Sequence, residues 1–242
     1  MTSQDAVPIR QAATVLLVRD DPFEVLMVER HAKAFHGSAM VFPGGVVERA
    51  DWSSDWLPYL QGGEGLDDAE RAARVAACRE MFEEAAVLLA TVSAREVDAG
   101  LGFFGMIRAS GGRLLLDALT PFAHWVTPVG VPKRFDTRFY ICRAPEGHEA
   151  VCDGVETVSL EWLTPEAAVA LPLSGPRMIA FPTRLNLQRL AESADAQAAI
   201  EAARGRPAYV TRPVMLQTEQ GPRVQIPAEA GYAVTEGLSI TH

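Results

Sequence analysis

Short apolar runs separated by turn residues mark the first part of the chain. Residues 12–18 form an apolar run rich in β-branched side chains that ends at Asp20-Asp21-Pro22, and residues 24–30 form a second run. Runs of this length bounded by turn signals are typical of buried strands. The two runs are close enough to pair as a hairpin. Residues 40–42 predict a third strand, which leads into the tight turn at Gly44-Gly45.

An alanine-rich stretch from Ala69 to Ala90 has high helix propensity. Asp67, followed three residues later by Glu70, is typical of a capping box at the start of this helix. Between the glycine turn and the helix, Trp52, Trp56 and Tyr59 are interleaved with turn residues. This aromatic segment predicts an ordered excursion of the chain.

The remainder of the chain continues to mix strands with helices. Residues 122–127, 137–142 and 155–162 are predicted strands, and Thr164-Pro165-Glu166 is a helix start with proline at the first helical position. Residues 183–194 and 195–204 predict two helices that end at Gly205, and short strand-like pieces follow Pro207. This order of elements indicates an α/β/α sandwich with a central mixed sheet and helices on both faces.

Composition and charge restrict the partners. The 242 residues are 48% hydrophobic and 22% charged, which is ordinary for a globular protein. A net charge of −9 argues against a nucleic-acid or anionic-membrane partner. No apolar run approaches the roughly 18 residues of a membrane span. The three cysteines lie far apart without paired spacing, and Cys78 is interpreted as core filler. With no signal-peptide pattern at the start, we expect a cytoplasmic protein.

Three carboxylates within one helical turn are the strongest chemical signal. Glu80, Glu83 and Glu84 stand at i, i+3 and i+4 and therefore project from one side of the predicted helix. Their mutual repulsion costs stability unless a cation neutralises it, and hard carboxylate oxygens suit Mg²⁺ or Mn²⁺. Arg79, four residues before Glu83, can orient that carboxylate. The alternative is a solvated acidic helix face.

Together with the turn Phe42-Pro43-Gly44-Gly45, the run from Arg79 to Val87 resembles the Nudix box, the signature of the Nudix hydrolases. Gly45 and Asp51 match the opening Gly and the first acidic position. The twenty-seven residues between Asp51 and Arg79 imply a long insertion, and Ala86 replaces the last Gly of the pattern. Since that Gly normally ends the helix, we expect the helix to continue through Leu88-Leu89-Ala90.

The resemblance extends to one branch of the family. The long insertion and the motif Phe135-Asp136-Thr137-Arg138-Phe139 are similar to the branch of the mammalian peroxisomal coenzyme A diphosphatase, Nudix type 19. The resemblance implies a Nudix fold for roughly residues 10–170. We expect an N-terminal tail at 1–10, a hydrolase domain at 11–205 with an insertion at about 52–66, and a helical and irregular C-terminal extension at 206–242 packed on the same domain. The implied substrate is a small-molecule diphosphate. The sequence leaves the oligomeric state open.

The resemblance also implies roles for individual residues. Mg²⁺, with Mn²⁺ as an alternative, is expected on Glu80, Glu83, Glu84 and the backbone carbonyl of Gly44. Arg79 completes the catalytic set. Glu80 is either a metal ligand or the general base, and Glu156 is a downstream carboxylate that can assist as the base.

Substrate phosphates require basic residues because the overall charge repels them. Arg30, Lys33 and Arg134 are the candidates, and each is also interpretable as a solvated surface charge. Asp51 is either part of the box or a structural cap. His124 is expected to pack within its strand. The insertion aromatics either stack on an adenine ring or pin their loop to the body of the protein.

Overall fold

The computed structural model describes residues 7–30, 39–147, 149–152, 157–219 and 221–238, with Arg30 and Leu238 described by their backbone alone. Within these residues the chain forms thirteen strands, in chain order β1 Ile9–Arg19, β2 Glu24–Arg30, β3 Met40–Val41, β4 Gly44–Val46, β5 Leu60–Gln61, β6 Leu114–Leu115, β7 Thr120–Val126, β8 Arg134–Arg143, β9 Thr157–Leu163, β10 Val210–Thr211, β11 Val214–Thr218, β12 Gly221–Gln225 and β13 Glu236–Leu238. Five α-helices accompany them, α1 Asp68–Ala85, α2 Gly102–Ser110, α3 Pro165–Val169, α4 Phe181–Leu190 and α5 Ala196–Gly205.

The central sheet is mixed and has the strand order β10-β7-β8-β1-β2-β3. β1 runs parallel to β8 and antiparallel to β2, which confirms the predicted hairpin. On the edge that faces β2, β1 also pairs with β4, and β2 in turn pairs with β9. The sheet therefore forks beside β1, and β4 brings the glycine turn into the fork.

Alternation along the strands separates the core into two layers. On β1, Val15 and Leu17 pack in the cluster that contains α1 and α2. Leu16 and Val18 point the other way, into the cluster that contains α3, α4 and α5. Because successive side chains of a strand point to opposite faces, a strand buried on both faces reads as a continuous apolar run. The predicted α/β/α sandwich is confirmed.

Helix α1 begins as predicted but ends earlier. Asp67 accepts a hydrogen bond from the Glu70 N–H, and the Glu70 side chain bonds other residues instead of completing the capping box. The expected continuation through Leu88-Leu89-Ala90 is wrong, because Ala86 adopts φ 54° and ψ 21° and ends the helix. An alanine thus takes the left-handed conformation that glycine usually supplies.

The aromatic segment after the glycine turn is ordered. It forms two 3₁₀ turns, Arg49–Trp52 and Ser54–Tyr59. Trp56 is 2% exposed and stacks against Phe103 and Phe104 of α2, and Tyr59 packs edge-on against Phe104. These contacts favour the pinning interpretation over adenine stacking for Trp56 and Tyr59. Trp52 is more exposed.

Residues beyond α5 contact the sheet. β10 pairs in parallel with β7, and the Tyr232 hydroxyl accepts from Trp125 Nε1 at 2.9 Å and donates to Asn186 at 2.7 Å.

Burial raises the pKa of the Cys78 thiol to about 12, as expected for core filler. In the described parts of the chain, no helix has the length and apolarity that a membrane crossing needs.

Candidate active site

The candidate active site is built on the glycine turn between β3 and β4. Pairing with β1 aligns Gly44 with Thr14 and Gly45 with Ala13. A Cβ at Gly44 would lie less than 3.0 Å from atoms of β1, and a Cβ at Gly45 would lie less than 3.0 Å from the Glu80 carboxylate. Glycine is needed here because both the strand and the carboxylate approach the backbone closely.

The C-terminal half of α1 brings the predicted carboxylates to this turn. Glu84 is 3% exposed, and its Oε2 accepts a hydrogen bond of 2.8 Å from the Gly44 N–H. Glu80 is also buried and lies against Gly45. The side chain of Glu83 is 48% exposed. Two of the carboxylates therefore contact the turn, while the third is open to solvent.

Arg79 connects these groups through all five of its N–H donors. Nε and Nη2 donate to the two carboxylate oxygens of Asp51 at 3.1 and 3.0 Å. Nη1 donates to Glu80 at 2.8 Å and to Glu83 at 2.9 Å, and Nη2 also donates to the Val46 carbonyl at 2.9 Å. The guanidinium thereby fixes two box carboxylates relative to the loop.

Asp51 performs a structural role. Its side chain is 1% exposed and also accepts from the Glu48 N–H at 2.8 Å, which caps the 3₁₀ turn Arg49–Trp52. The capping interpretation is confirmed. The bidentate ion pair between Asp51 and Arg79 was not predicted, because twenty-seven residues separate the two in sequence and no local pattern pairs them.

The electrostatics of the site are strongly negative. Burial alone lowers the pKa of Arg79, but the hydrogen bonds and charges of Asp51, with the charges of Glu80 and Glu83, raise it above its ordinary value. Burial raises the pKa of Glu83, and the charges of Glu48 and Asp51 raise it further. The charge and the hydrogen bond of Arg79 lower it, but they do not cancel the rise. Arg79 therefore does not balance all the carboxylates gathered around it, and a further cation would be stabilised here.

The donor set fits a hard divalent cation, since Glu80, Glu83 and Glu84 offer only carboxylate oxygens. Within the described residues, however, no three Asp, Glu, His or Cys side chains are already clustered as a closed metal site. Glu80 and Glu83 are oriented toward Arg79, and Glu84 toward the Gly44 N–H. Metal binding therefore requires these side chains to reorient, which the half-exposed Glu83 can do most easily.

The other predicted site residues are placed less completely. Lys33 and Glu156 lie outside the described residues, and Arg30 ends β2 with its side chain undescribed. Arg134 is half-buried, and its Nε donates to the Thr127 carbonyl at 3.3 Å. It pairs with Ile9, four residues before the Ala13–Gly45 pair, which corresponds to about 13 Å along the strand.

Two polar groupings were missed by the sequence reasoning. Glu70 binds Arg74, Arg138 and Tyr140 between α1 and β8. His124, expected to be packed, is 26% exposed, and its Nε2 contacts Asp136. The signal that could have found both is the alternation of charged residues at Arg134, Asp136 and Arg138, which places all three on one face of β8.

Comparison with known proteins supports the family assignment. The NUDIX domain model matches residues 8–181. Acyl-coenzyme A diphosphatase NUDT19 from Gallus gallus is 28% identical, with 75% of this chain and 68% of that protein covered. The protein of the same name from Homo sapiens is 28% identical, with 71% and 61% covered, so this chain spans about two thirds or less of these relatives.

A crystal structure of a NUDIX hydrolase from Alicyclobacillus acidocaldarius has a TM-score of 0.70 at 26% identity, with 81% of this chain and 97% of that chain covered. The similarity therefore extends over most of both folds. Because the family model also spans well over half of the residues, the chain belongs to the NUDIX domain family and is a Nudix hydrolase.

Proposed function

We propose that the protein is a Mg²⁺-dependent pyrophosphohydrolase that cleaves the diphosphate of a nucleoside diphosphate linked to another group. Coenzyme A or an acyl-coenzyme A is the best candidate substrate. The observation that carries the proposal is the excess of negative charge where Glu80, Glu83 and Glu84 meet the Gly44-Gly45 turn. A purely structural helix face would have no reason to retain it.

The metal ligands in this proposal are Glu80, Glu83, Glu84 and the Gly44 carbonyl, with Mn²⁺ as an alternative ion. When bound, the metal supplies charge neutralisation to the diphosphate oxygens and Lewis acidity to water. Arg79 donates to both Glu80 and Glu83 through Nη1 and thereby holds the two carboxylates around one cationic group. Because Gly45 has no side chain, the Glu80 carboxylate packs directly against the backbone of the turn.

The general base is proposed to be Glu156, with Glu80 remaining a metal ligand. Support comes from its chain neighbour, since the Thr157 hydroxyl donates to the Glu84 carbonyl at 3.2 Å at the carboxylate end of α1. A base must lie within about 3 Å of the attacking water, directly or through one water. Glu156→Gln should therefore change the pH–rate profile, and an unchanged profile would remove Glu156 from the mechanism.

Arg30, Lys33 and Arg134 are proposed to bind substrate phosphates. The proposal is supported by the net charge of −9, because a polyanion needs local cations to approach such a protein. The Thr127 carbonyl accepts from Arg134 Nε, which uses one of the five N–H donors of this side chain. Substitution of Arg134 by Gln should raise KM more than it lowers kcat.

The choice of coenzyme A rests on the relatives whose printed name is acyl-coenzyme A diphosphatase. Their modest identity and partial coverage leave ADP-ribose or a dinucleotide as the alternative. A non-catalytic nucleotide-binding module is disfavoured, because all three box carboxylates of α1 are present. The fold by itself does not select a substrate.

The test is hydrolysis of coenzyme A, an acyl-coenzyme A, ADP-ribose and a dinucleotide with Mg²⁺, with products identified by mass spectrometry. We expect coenzyme A to yield adenosine 3′,5′-bisphosphate and 4′-phosphopantetheine. Turnover of ADP-ribose or the dinucleotide without turnover of coenzyme A would reject the substrate and retain the reaction class. Absence of turnover with every diphosphate would reject both.

A further inference from the structure

Four polar side chains lie together on the sheet face that α1 covers, where the surrounding strands bury apolar residues. Gln11 on β1 pairs with Asp136 on β8. Two residues further along β8, Arg138 pairs with His124 on β7. Residues i and i+2 of a strand share a face, so all four lie on the side of Ala13, which packs in the α1 cluster. We call Gln11, His124, Asp136 and Arg138 the polar patch.

The outer part of the polar patch is accessible. The side chains of His124 and Asp136 are 26% and 30% exposed, and His124 Nε2 contacts Asp136 Oδ1. Within the described chain, no side chain bonds His124 Nδ1 or Asp136 Oδ2. The pair therefore presents one ring nitrogen and one carboxylate oxygen for a further hydrogen-bonding partner.

Arg138 and Gln11 form the inner, buried part of the polar patch, and their burial lowers the stability of the fold. Arg138 Nε pairs with Glu70 at 3.1 Å, which ties β8 to the first turn of α1. Arg138 Nη1 and Gln11 Oε1 are both buried without a hydrogen-bond partner in the described structure. Buried unpaired polar atoms are rare because they lose their hydration without compensation. Apolar residues would stabilise this face better, so polarity here points to binding.

The polar patch lies beside the carboxylate site. Gly45, Ala13, Arg138 and His124 form one row across four adjacent strands. Three strand spacings of about 4.8 Å place His124 on the order of 14 Å from Gly45. The Val47 N–H also donates to the Gln11 carbonyl at 2.9 Å, so the loop that follows the glycine turn is bonded to the backbone of β1 at one residue of the polar patch. An extended substituent on a diphosphate can span this distance.

We propose that the polar patch binds the uncharged arm that the substrate carries on its diphosphate, and that this arm bears hydroxyl or amide groups. The proposal rests on the reaction class proposed above. The Asp136 carboxylate repels an additional phosphate, whereas it accepts from a hydroxyl or amide N–H. His124 Nδ1 forms the second hydrogen bond. The pantetheine arm of coenzyme A and the terminal ribose of ADP-ribose both have this chemistry.

Calorimetry without divalent metal tests the binding. The probes are 4′-phosphopantetheine, ribose 5-phosphate and inorganic phosphate, which share a phosphate and differ in the arm. We expect one of the two arm-bearing probes to bind at least tenfold more tightly than inorganic phosphate. His124→Phe and Asp136→Ala should each weaken binding of the preferred arm-bearing probe at least fivefold, and neither should weaken phosphate binding. Thr137→Val, on the opposite face of β8, is the matched control.

A kinetic measurement gives the second readout. With Mg²⁺ and the substrate that the enzyme cleaves, both patch variants should raise KM about tenfold while kcat stays within threefold. A preference for 4′-phosphopantetheine assigns the pantetheine arm, and a preference for ribose 5-phosphate assigns the ribose. The proposal is overturned if neither probe binds more tightly than phosphate, or if the variants bind like the wild type. If an arm-bearing probe binds as expected but the enzyme does not cleave coenzyme A, only the substrate proposed above is rejected.

Discussion

The two ends of α1 carry the same residue type in opposite electrostatic settings. Near the N-terminal end, Glu70 accepts from Arg74 at 2.9 Å and from the Tyr140 hydroxyl at 3.0 Å, and it pairs with Arg138 at 3.1 Å. One carboxylate thus has two guanidinium partners. Its charge is compensated, so it serves to anchor the helix to β8.

At the C-terminal end of α1, carboxylates outnumber guanidinium groups. Arg79 is shared among Asp51, Glu80 and Glu83, while Glu84 is satisfied by a backbone N–H. Burial raises the pKa of Glu83, and the charges of Glu48 and Asp51 raise it further against the opposing effect of Arg79. We therefore expect a carboxylate on this helix to be structural where cations outnumber it, and functional where carboxylates outnumber cations.

The largest expected effect is at the functional end. Glu84→Gln should lower kcat by at least about two orders of magnitude, because it removes a charged oxygen ligand while keeping an oxygen that can accept from Gly44. Helix propensity hardly changes, so the fold should remain. Turnover with Mg²⁺ and circular dichroism are the measurements. Near wild-type turnover in a folded variant would end the metal-ligand assignment.

Displacing the Glu80 carboxylate should lower kcat less than removing a carboxylate does. Gly45→Ala would force the Glu80 carboxylate off the turn, since the new Cβ would lie less than 3.0 Å from it. We expect kcat to fall about tenfold. Gly205→Ala, where a Cβ has no neighbour within 4 Å, is the control and should leave kcat unchanged. Equal activity of both variants would show that the position of Glu80 does not matter.

At the structural end the effect should appear in stability. Glu70→Gln leaves Arg74 and Arg138 without their charged partner and should lower the free energy of unfolding by about 2 kcal/mol. The kcat of the folded fraction should change much less than in Glu84→Gln. Chemical denaturation and turnover of the same preparation separate the two effects. A large loss of kcat at unchanged stability would contradict the comparison.

The end of α1 offers a stabilising change. Ala86→Gly should raise the free energy of unfolding by about 1 kcal/mol, because Ala86 has φ 54° and glycine adopts this conformation without a Cβ penalty. Ala69→Gly inside the same helix should lower it by a similar amount. Thermal unfolding of both variants checks the opposite signs. Destabilisation by Ala86→Gly would mean that the Ala86 methyl group contributes packing.

The smallest effect concerns pH. The pKa of Glu83 is raised above its ordinary value of 4.5, so its contribution to stability is present below that value and is lost as the pH rises through the raised pKa. Without divalent metal, the wild type should therefore lose stability relative to Glu83→Gln across this interval. Thermal unfolding between pH 4 and about pH 7 measures it. Parallel curves for the two proteins would show that Glu83 is not electrostatically strained.

The sequence by itself determined β1, β2, the start of α1 and the box. Continuous apolar runs bounded by turn residues specified β1 and β2, and the spacing of Glu80, Glu83 and Glu84 placed them on one helical face. The proposed limit of the main domain at residue 205 stays a prediction, and so do the roles of Arg30, Lys33, Arg134 and Glu156. Local periodicity suffices for the confirmed features because they depend on neighbours within one or two turns.

Only the tertiary structure decided which charges are compensated. The partners of Arg79 include Asp51, and those of Glu70 include Arg138 and Tyr140, all far away in sequence. The same holds for Ala86, whose left-handed backbone is imposed although an isolated alanine favours continuing the helix. Ion pairs and strained dihedrals depend on distances across the fold, and these are set by packing rather than by sequence spacing.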